Sequence, residues 1–471
     1  MNYISLEDNQ FNTVTWKEAW KVDEKSTCPE FDGKIKEELE YFSNNSLANL
    51  AKSNGKKGSI VVFPSRQSNS DLNKDDKFIF RLVYHPSGNP SFQTNNVMGF
   101  IGLCDDMQME ITSRFDKTEH NFLLFYMLQK VLNIALTPKI SLADESYLDF
   151  LYYLFPSYLK TACAQGIYRA YVTKEYNDAN VRGPIDVARH IRCNTPFNGK
   201  IAYHTREYTT DNKVTQLIRH AIEYIRTLKS ESSILSSDND VRDDVNEIIA
   251  ATPTYSHNAM MQVIAQNLHP ITHPYYTAYE PLRKLCLGIL LHKKAGFGDS
   301  EKKIRGILFD GASLWEEYLN VVLKKKFGSE LVHPNNRTGD KNFYLFEDEK
   351  GVIYPDFLVG LYGRETAKIV LDAKYKHLDE TDLDSGNNND SFQMLAYMTR
   401  FKAQNGVLIY PCENTGKKTS ISTKSYKLWG NKNISVYTVP VKIPTSNDWK
   451  IFVTQMKSME GELVEMIQKI K

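Results

Sequence analysis

The run Ile369-Val370-Leu371-Asp372-Ala373-Lys374-Tyr375 constrains this chain more than any other stretch. It is short, apolar and rich in β-branched residues, with Gly363 and polar residues upstream, so it reads as a buried strand. Side chains alternate across a strand, which puts Asp372 and Lys374 on one side and Leu371 and Ala373 on the other. An acid and an ammonium on a buried strand are unfavourable unless partners or a metal compensate them. A second apolar run, Val352-Ile353-Tyr354-Pro355-Asp356-Phe357-Leu358-Val359, also carries one acid and is joined to the first by a turn around Gly360 and Gly363. Two strands so closely connected are most simply antiparallel neighbours, which brings Asp356 close to Asp372. Two carboxylates, the main-chain carbonyl of Ala373 and waters form a hard oxygen site suited to Mg²⁺, with Mn²⁺ as a substitute. Lys374 then stands beside the metal, placed to orient or activate a water and to steady charge on a phosphate.

The D-x-K spacing alone carries little. Asp23/Lys25, Asp75/Lys77, Asp211/Lys213 and Asp348/Lys350 repeat it in polar surroundings where a solvated face explains them. Asp448/Lys450 falls at a helix start, where Asp is a routine cap. Only Asp372/Lys374 combines an apolar strand with an upstream Pro-Asp. Pro355-Asp356, then fifteen residues, then Asp372-Ala373-Lys374 resembles the PD-(D/E)XK nuclease signature. On the next helix, Gln393-Met394-Leu395-Ala396-Tyr397 is similar to the Q-x-x-x-Y motif of the RecB-like branch. The i, i+4 spacing puts Gln393 and Tyr397 on one helix face. With Gly406-Val407-Leu408-Ile409-Tyr410-Pro411 added, the pattern resembles McrC, the nuclease subunit of modification-dependent McrBC restriction systems.

That resemblance implies catalytic roles for Asp356, Asp372, Lys374, Gln393 and Tyr397. It also implies a glutamate on the helix before them: the register selects Glu316, with Glu317 as the alternative, and a plain surface acid explains either equally well. The implied activity is Mg²⁺-dependent cleavage of DNA in phage defence. The implied partner is a McrB-like AAA+ GTPase hexamer, on which the N-terminal two thirds docks and whose hydrolysis it stimulates. Two rival functions stay open: a nuclease of another defence or repair system that acts alone, and a non-catalytic regulator whose carboxylates form a buried ion-pair network.

The remaining sequence bounds these readings. At 471 residues there is room for two or three domains. The net charge of +1 means that any nucleic-acid contact comes from local patches, not from a global basic field. Six cysteines without a C-x-x-C pair read as free thiols of a reducing cytosol. Residues 1–20 lack a signal-peptide pattern and 285–291 are too few to cross a bilayer, so a cytoplasmic location without membrane contact is expected. Neither Gly55-Lys56-Lys57 nor Gly416-Lys417-Lys418-Thr419 completes a Walker A loop, so nucleotide hydrolysis falls to another polypeptide.

The expected fold is α+β and multidomain. Residues 1–115 form a β-rich N-terminal module with a hairpin over 97–103 and 107–112. Residues 116–295 form a mainly helical middle region for partner docking, with helices at 121–136, 145–165 (bent at Pro156) and 275–291 and a polar turn or linker at 230–245. Residues 296–471 form an α/β PD-(D/E)XK core with a mixed central sheet, opening on a helix over 310–325. An acidic, mobile loop over 379–390 follows the Asp372 strand; a strand over 434–441 and an amphipathic helix over 448–470 close the chain. Tyr147, Phe150, Tyr152, Tyr153 and Phe155 make an aromatic stripe that reads as core. For Arg182, Arg189, Arg192, Lys200 and Arg206 a structural or solvated role outweighs action on a partner's nucleotide. His257, His269 and His273 do not read as a zinc set, because Pro270 and Pro274 break the helix that would align them.

Overall fold

The computed structural model describes residues 2–10, 14–21, 31, 33–52, 59–63, 78–84, 86, 90–104, 107–119, 121–132, 150–228, 232–236, 238–267, 271, 273–292, 304–334, 343–377, 389–413 and 423–471. Two compact units result, one from residues 1–147 with 300–471 and one from 148–299. The first and last of the three expected segments therefore belong to one unit.

In the first unit, an N-terminal six-stranded sheet has the order Trp20–Lys21, Asn2–Glu7, Met107–Thr112, Val97–Cys104, Ile304–Asp310, Ser59–Phe63. The hairpin of Val97–Cys104 with Met107–Thr112 is antiparallel, as its turn-separated apolar runs predict. Ile304–Asp310, within the 296–471 segment expected as the C-terminal core, is a strand of this sheet between Val97–Cys104 and Ser59–Phe63. Its buried Leu308 joins Ile4, Leu6, Trp16, Phe42, Phe80, Phe92, Ile101 and Ile111 in one core.

The second sheet of this unit has the order Leu331–Val332, Phe357–Val359, Ile369–Ala373, Asn405–Glu413, Asn431–Ile443, Lys424–Leu428. It is mixed. Ile369–Ala373, Asn405–Glu413 and Asn431–Ile443 run parallel, while the outer strands are antiparallel to their neighbours. A parallel pair needs a crossover, and the helix Asn389–Arg400 supplies it between Ile369–Ala373 and Asn405–Glu413. Phe357, Leu358, Val359, Ile369, Val370 and Leu371 are all fully buried, so both faces are covered, which is why the sequence there is continuously apolar. The helix Gly311–Phe327, capped by Asp310, contacts the Ile369–Ala373 strand, and Trp449–Ile470, capped by Asp448, contacts Asn431–Ile443.

The run over 352–359 is two strands, not one. Val352–Ile353 pairs with Phe343–Tyr344 in a separate ribbon, and only Phe357–Val359 enters the large sheet. Pro355 divides them because its nitrogen has no hydrogen to give a ladder.

The 148–299 unit is less purely helical than expected. Ala170–Asp178 and Ile201–Thr209 form a nine-residue antiparallel hairpin. The helices Phe150–Cys163, Lys213–Thr227 and Tyr279–His292 build its core, with Leu154, Phe155, Leu217, Ile222, Leu282, Leu285 and Ile289 buried. Tyr152 and Phe155 are core residues, while Tyr147 and the side chain of Phe150 lie outside the described residues. From Asp238 onward the stretch expected as a turn or linker is helix: Asp238 caps Asn239–Ala251, whose Val241, Val245 and Ile248 are buried on one face at i, i+4 and i+7. Its polar residues occupy the opposite side, which hid the helical period.

Glu110, on Met107–Thr112, gives a stability test. It is buried, with Asn121 Nδ2 3.4 Å from Oε1, and burial pushes its carboxyl up to about 7, with help from nearby Asp116. The folded chain therefore binds more protons here than the unfolded chain between about pH 4 and that value, so stability falls as pH rises through the window. Glu110→Gln is expected to gain up to roughly 3 kcal/mol over the parent at pH 8 and almost nothing at pH 4. Urea midpoints at the two pH values check this, and an equal shift at both contradicts it.

Candidate active site

Phe357 pairs with Leu371 and Leu358 with Val370, so Asp356 and Asp372 occupy the next opposed positions, where the strands end. Opposed residues of an antiparallel pair share a face with their Cβ atoms only about 5 Å apart. The turn that returns the chain is sharp: Gly360 and Gly363 have φ of +66° and +56°, values that glycine adopts without strain. The main-chain N–H of Ala373 donates to Asp356 Oδ2 at 2.7 Å, locking the first carboxylate onto the second strand.

Lys374 Nζ lies 2.5 Å from Asp372 Oδ2 in a close ion pair. It also donates to Gln393 Oε1 at 2.7 Å. Gln393 Nε2 donates to the Tyr397 hydroxyl at 2.8 Å, and that hydroxyl donates to the Tyr354 carbonyl at 3.2 Å. One chain of contacts thus runs from Asp372 through Lys374, Gln393 and Tyr397 back to the segment that carries Asp356. Five of the six side chains expected from the sequence meet here.

Glu316 stands at the margin. Its Oε1 is 3.6 Å from His333 Nε2, and Glu317 Oε1 is 3.7 Å from the same nitrogen, so the structure keeps both registers. His333 Nδ1 lies 2.7 Å from the Asp356 carbonyl oxygen and so donates to it. Burial opposes charge on the ring, but Glu317, the Asp356 carbonyl and Glu316 together outweigh it and hold the imidazole above its usual range. His333 was not legible beforehand, because an isolated His after Leu331-Val332 belongs to no motif.

Asp390 was also missed. It sits in the first turn of Asn389–Arg400, three residues before Gln393 and so on the same face, a spacing that could have found it. The loop expected over 379–390 lies outside the described residues up to 388, and Asp390 is helical. Its Oδ2 is 2.5 Å from Lys376 Nζ and accepts from the Tyr410 hydroxyl at 3.2 Å; its Oδ1 is 3.7 Å from Lys374 Nζ.

The electrostatics are those of a site short of positive charge. Burial, then Asp372 and Glu316, push the Asp356 carboxyl well above the usual range. Burial likewise raises Asp372, against the pull of Lys374. Lys374 keeps its proton: burial disfavours the ammonium, but Asp372, Asp390 and Asp356 overcome that and hold it above the ordinary lysine range. An ammonium has no lone pair with which to take a proton, so in this arrangement Lys374 stands as a positive charge among these acids. Two crowded, buried carboxylates beside a main-chain carbonyl are a donor set that fits a divalent cation. Among the described residues no three His, Cys, Asp or Glu side chains converge on one ion position.

The N-terminal sheet steadies the chain just past Lys374. Arg114 donates to the Tyr375 carbonyl at 2.5 Å, pairs with buried Asp8 at 3.3 Å and reaches Asn96 at 2.8 Å. The Tyr375 hydroxyl lies 2.7 Å from Ser113 Oγ, and its ring fills the space where a side chain at Gly311 would be. In the 148–299 unit, Arg189 is consumed within the hairpin, donating to the Tyr176 and Tyr203 carbonyls at 2.9 and 2.7 Å. Arg206 stacks on Tyr171 at 4.6 Å.

Carboxylate crowding predicts a trade-off. In chelator, Asp356→Asn is expected to stabilise the protein by ~0.5–2 kcal/mol, because the amide oxygen keeps the Ala373 bond and the repulsion is gone. Asp356 is raised in the fold, so this gain appears above the ordinary aspartate range and vanishes at lower pH. Thermal unfolding in EDTA at pH 4 and pH 8 measures it; a destabilised variant at pH 8 contradicts it.

Comparison with known proteins places the chain. No curated protein matches it. A chain of the refined half-complex from a tetradecameric assembly of Thermococcus gammatolerans McrB AAA+ hexamers with bound McrC is 14% identical, with a TM-score of 0.48 over 98% of this chain and 100% of that one. A chain of the Thermococcus gammatolerans McrBC complex is 14% identical, with a TM-score of 0.31 over 68% of this chain and 87% of that one. The family model described as McrBC 5-methylcytosine restriction system component matches residues 92–411, well over half of the sequence. The chain belongs to that family.

Proposed function

We propose that this protein is the PD-(D/E)XK endonuclease subunit of its restriction system, cutting DNA phosphodiester bonds with Mg²⁺ while bound to a separate AAA+ GTPase hexamer. The observation that carries the reading is the opposition of Asp356 and Asp372 at adjoining strand ends, with Lys374 at 2.5 Å from the second carboxylate. Family membership and the McrB hexamers in the related complex support the partner. Target choice then rests with the motor, since contacts to phosphate carry no sequence information.

Asp356, Asp372 and the Ala373 carbonyl would hold the cation, which when bound supplies Lewis-acid polarisation of the phosphodiester and a more acidic water. Asp356 is pre-aligned for this by the Ala373 N–H. Lys374 places its positive charge where negative charge develops on the phosphate oxygens. Gln393 fixes the ammonium through its Oε1, and Tyr397 fixes Gln393. Glu316 and Glu317, both beside His333 and so tied to the Asp356 segment, would add negative charge at the margin of the cation site.

The test is cleavage of plasmid DNA by the whole chain with its motor, nucleotide and Mg²⁺. Asp356→Asn, Asp372→Asn and Lys374→Ala are each expected to lose at least about 100-fold in cleavage rate. Stimulated GTP hydrolysis should persist in all three, since the motor still docks. Undiminished cleavage by Asp372→Asn refutes the nuclease reading. Cleavage by this chain without any motor refutes the dependence on a partner.

A further inference from the structure

We propose that Asp390 is a positioning residue, the counter-charge that takes up the Lys374 ammonium when a divalent cation claims Asp372. The inference rests on the nuclease reading and concerns how the cation site loads. In this structure Lys374 Nζ occupies the position beside Asp372 Oδ2 at 2.5 Å. An ammonium so close to a cation ligand repels the incoming ion, and the two positive charges compete for one carboxylate.

The geometry makes Lys374 transferable. Its Nζ stands 2.5 Å from Asp372 Oδ2 and donates to Gln393 Oε1 at 2.7 Å, so Gln393 can keep hold of it when Asp372 is taken. The ammonium can therefore pivot on Gln393 while leaving Asp372. The acceptor for that pivot is Asp390 Oδ1, only 3.7 Å away before any movement. Asp390 cannot itself swing off, because Lys376 and the Tyr410 hydroxyl both hold its Oδ2. Gln393 and Asp390 lie three residues apart on one helix face, so a single rigid element carries both the pivot and the destination. Lys374 lies largely inside the site, where solvent screens these charges less than it would at the surface.

Because a nearby negative charge also attracts a cation directly, the decisive experiment is a double-mutant cycle. Mn²⁺ and Mg²⁺, each alone, are titrated calorimetrically into the full-length chain, its Asp390→Asn and Lys374→Met variants, and the double variant. Lys374→Met is expected to bind more tightly than the parent, having lost the competitor. Asp390→Asn is expected to weaken binding about tenfold in the parent and to change it less than about twofold in the Lys374→Met background. An equal loss in both backgrounds means direct attraction alone and overturns the proposal, as does no loss in either. Absence of any binding to the parent, or binding that survives Asp356→Asn with Asp372→Asn, defeats the underlying metal-site reading instead. Where circular dichroism shows that Asp390→Asn does not fold, Asp390→Ser carries the same cycle.

Discussion

Everything in the site depends on one cross-strand juxtaposition. Asp356 and Asp372 face each other because the register of Phe357–Val359 against Ile369–Ala373 leaves them as the next opposed pair. A slip of one residue would send one carboxylate to the far face of the sheet. Register is secured from both directions, by six fully buried apolar side chains and by the Ala373 N–H bond to Asp356. Burial on both faces fixes the backbone but leaves the two acids in an environment that resists their charge. A buried strand pair is thus the source of both the precision and the strain of the site.

The rest of the C-terminal sheet makes that strain tolerable. The parallel crossover places Asn389–Arg400 above the Asp372 strand, which brings Gln393, Tyr397 and Asp390 to Lys374 from one helix face. The N-terminal sheet holds the next residue, Tyr375, through Arg114 and Ser113. Its own strand Ile304–Asp310 runs directly into the helix that carries Glu316. The two sheets of this unit are therefore joined by covalent continuity and by a buried ion-paired network centred on Arg114 and Asp8.

Much of this was legible in the sequence, for a physical reason. Asp356, Asp372 and Lys374 stood out because charges within apolar strands need compensation, and Gln393 and Tyr397 through their similarity to the Q-x-x-x-Y motif, with the i, i+4 spacing placing them on one helix face. The reading failed where local pattern and tertiary role diverge. Val352 to Val359 looked like one strand, since nothing local says that Pro355 sends its halves to different sheets. Ile304–Asp310 gave no sign that its partners lie some two hundred residues earlier. The polar surface of Asn239–Ala251 masked three buried aliphatics, and the hairpin at Ala170–Asp178 and Ile201–Thr209 hid among charged residues because both of its faces are largely solvated. His333 and Asp390 act through contacts that only the fold creates, although the latter shares a helix face with Gln393.

The central claim is that two carboxylates of adjacent strands share one divalent ion. Diffraction from crystals of the full chain grown with Mn²⁺, collected for anomalous signal, locates that ion directly. The account predicts a single strong peak in contact with both Asp356 and Asp372. A peak elsewhere, or none between these two side chains with the ion in excess, contradicts it.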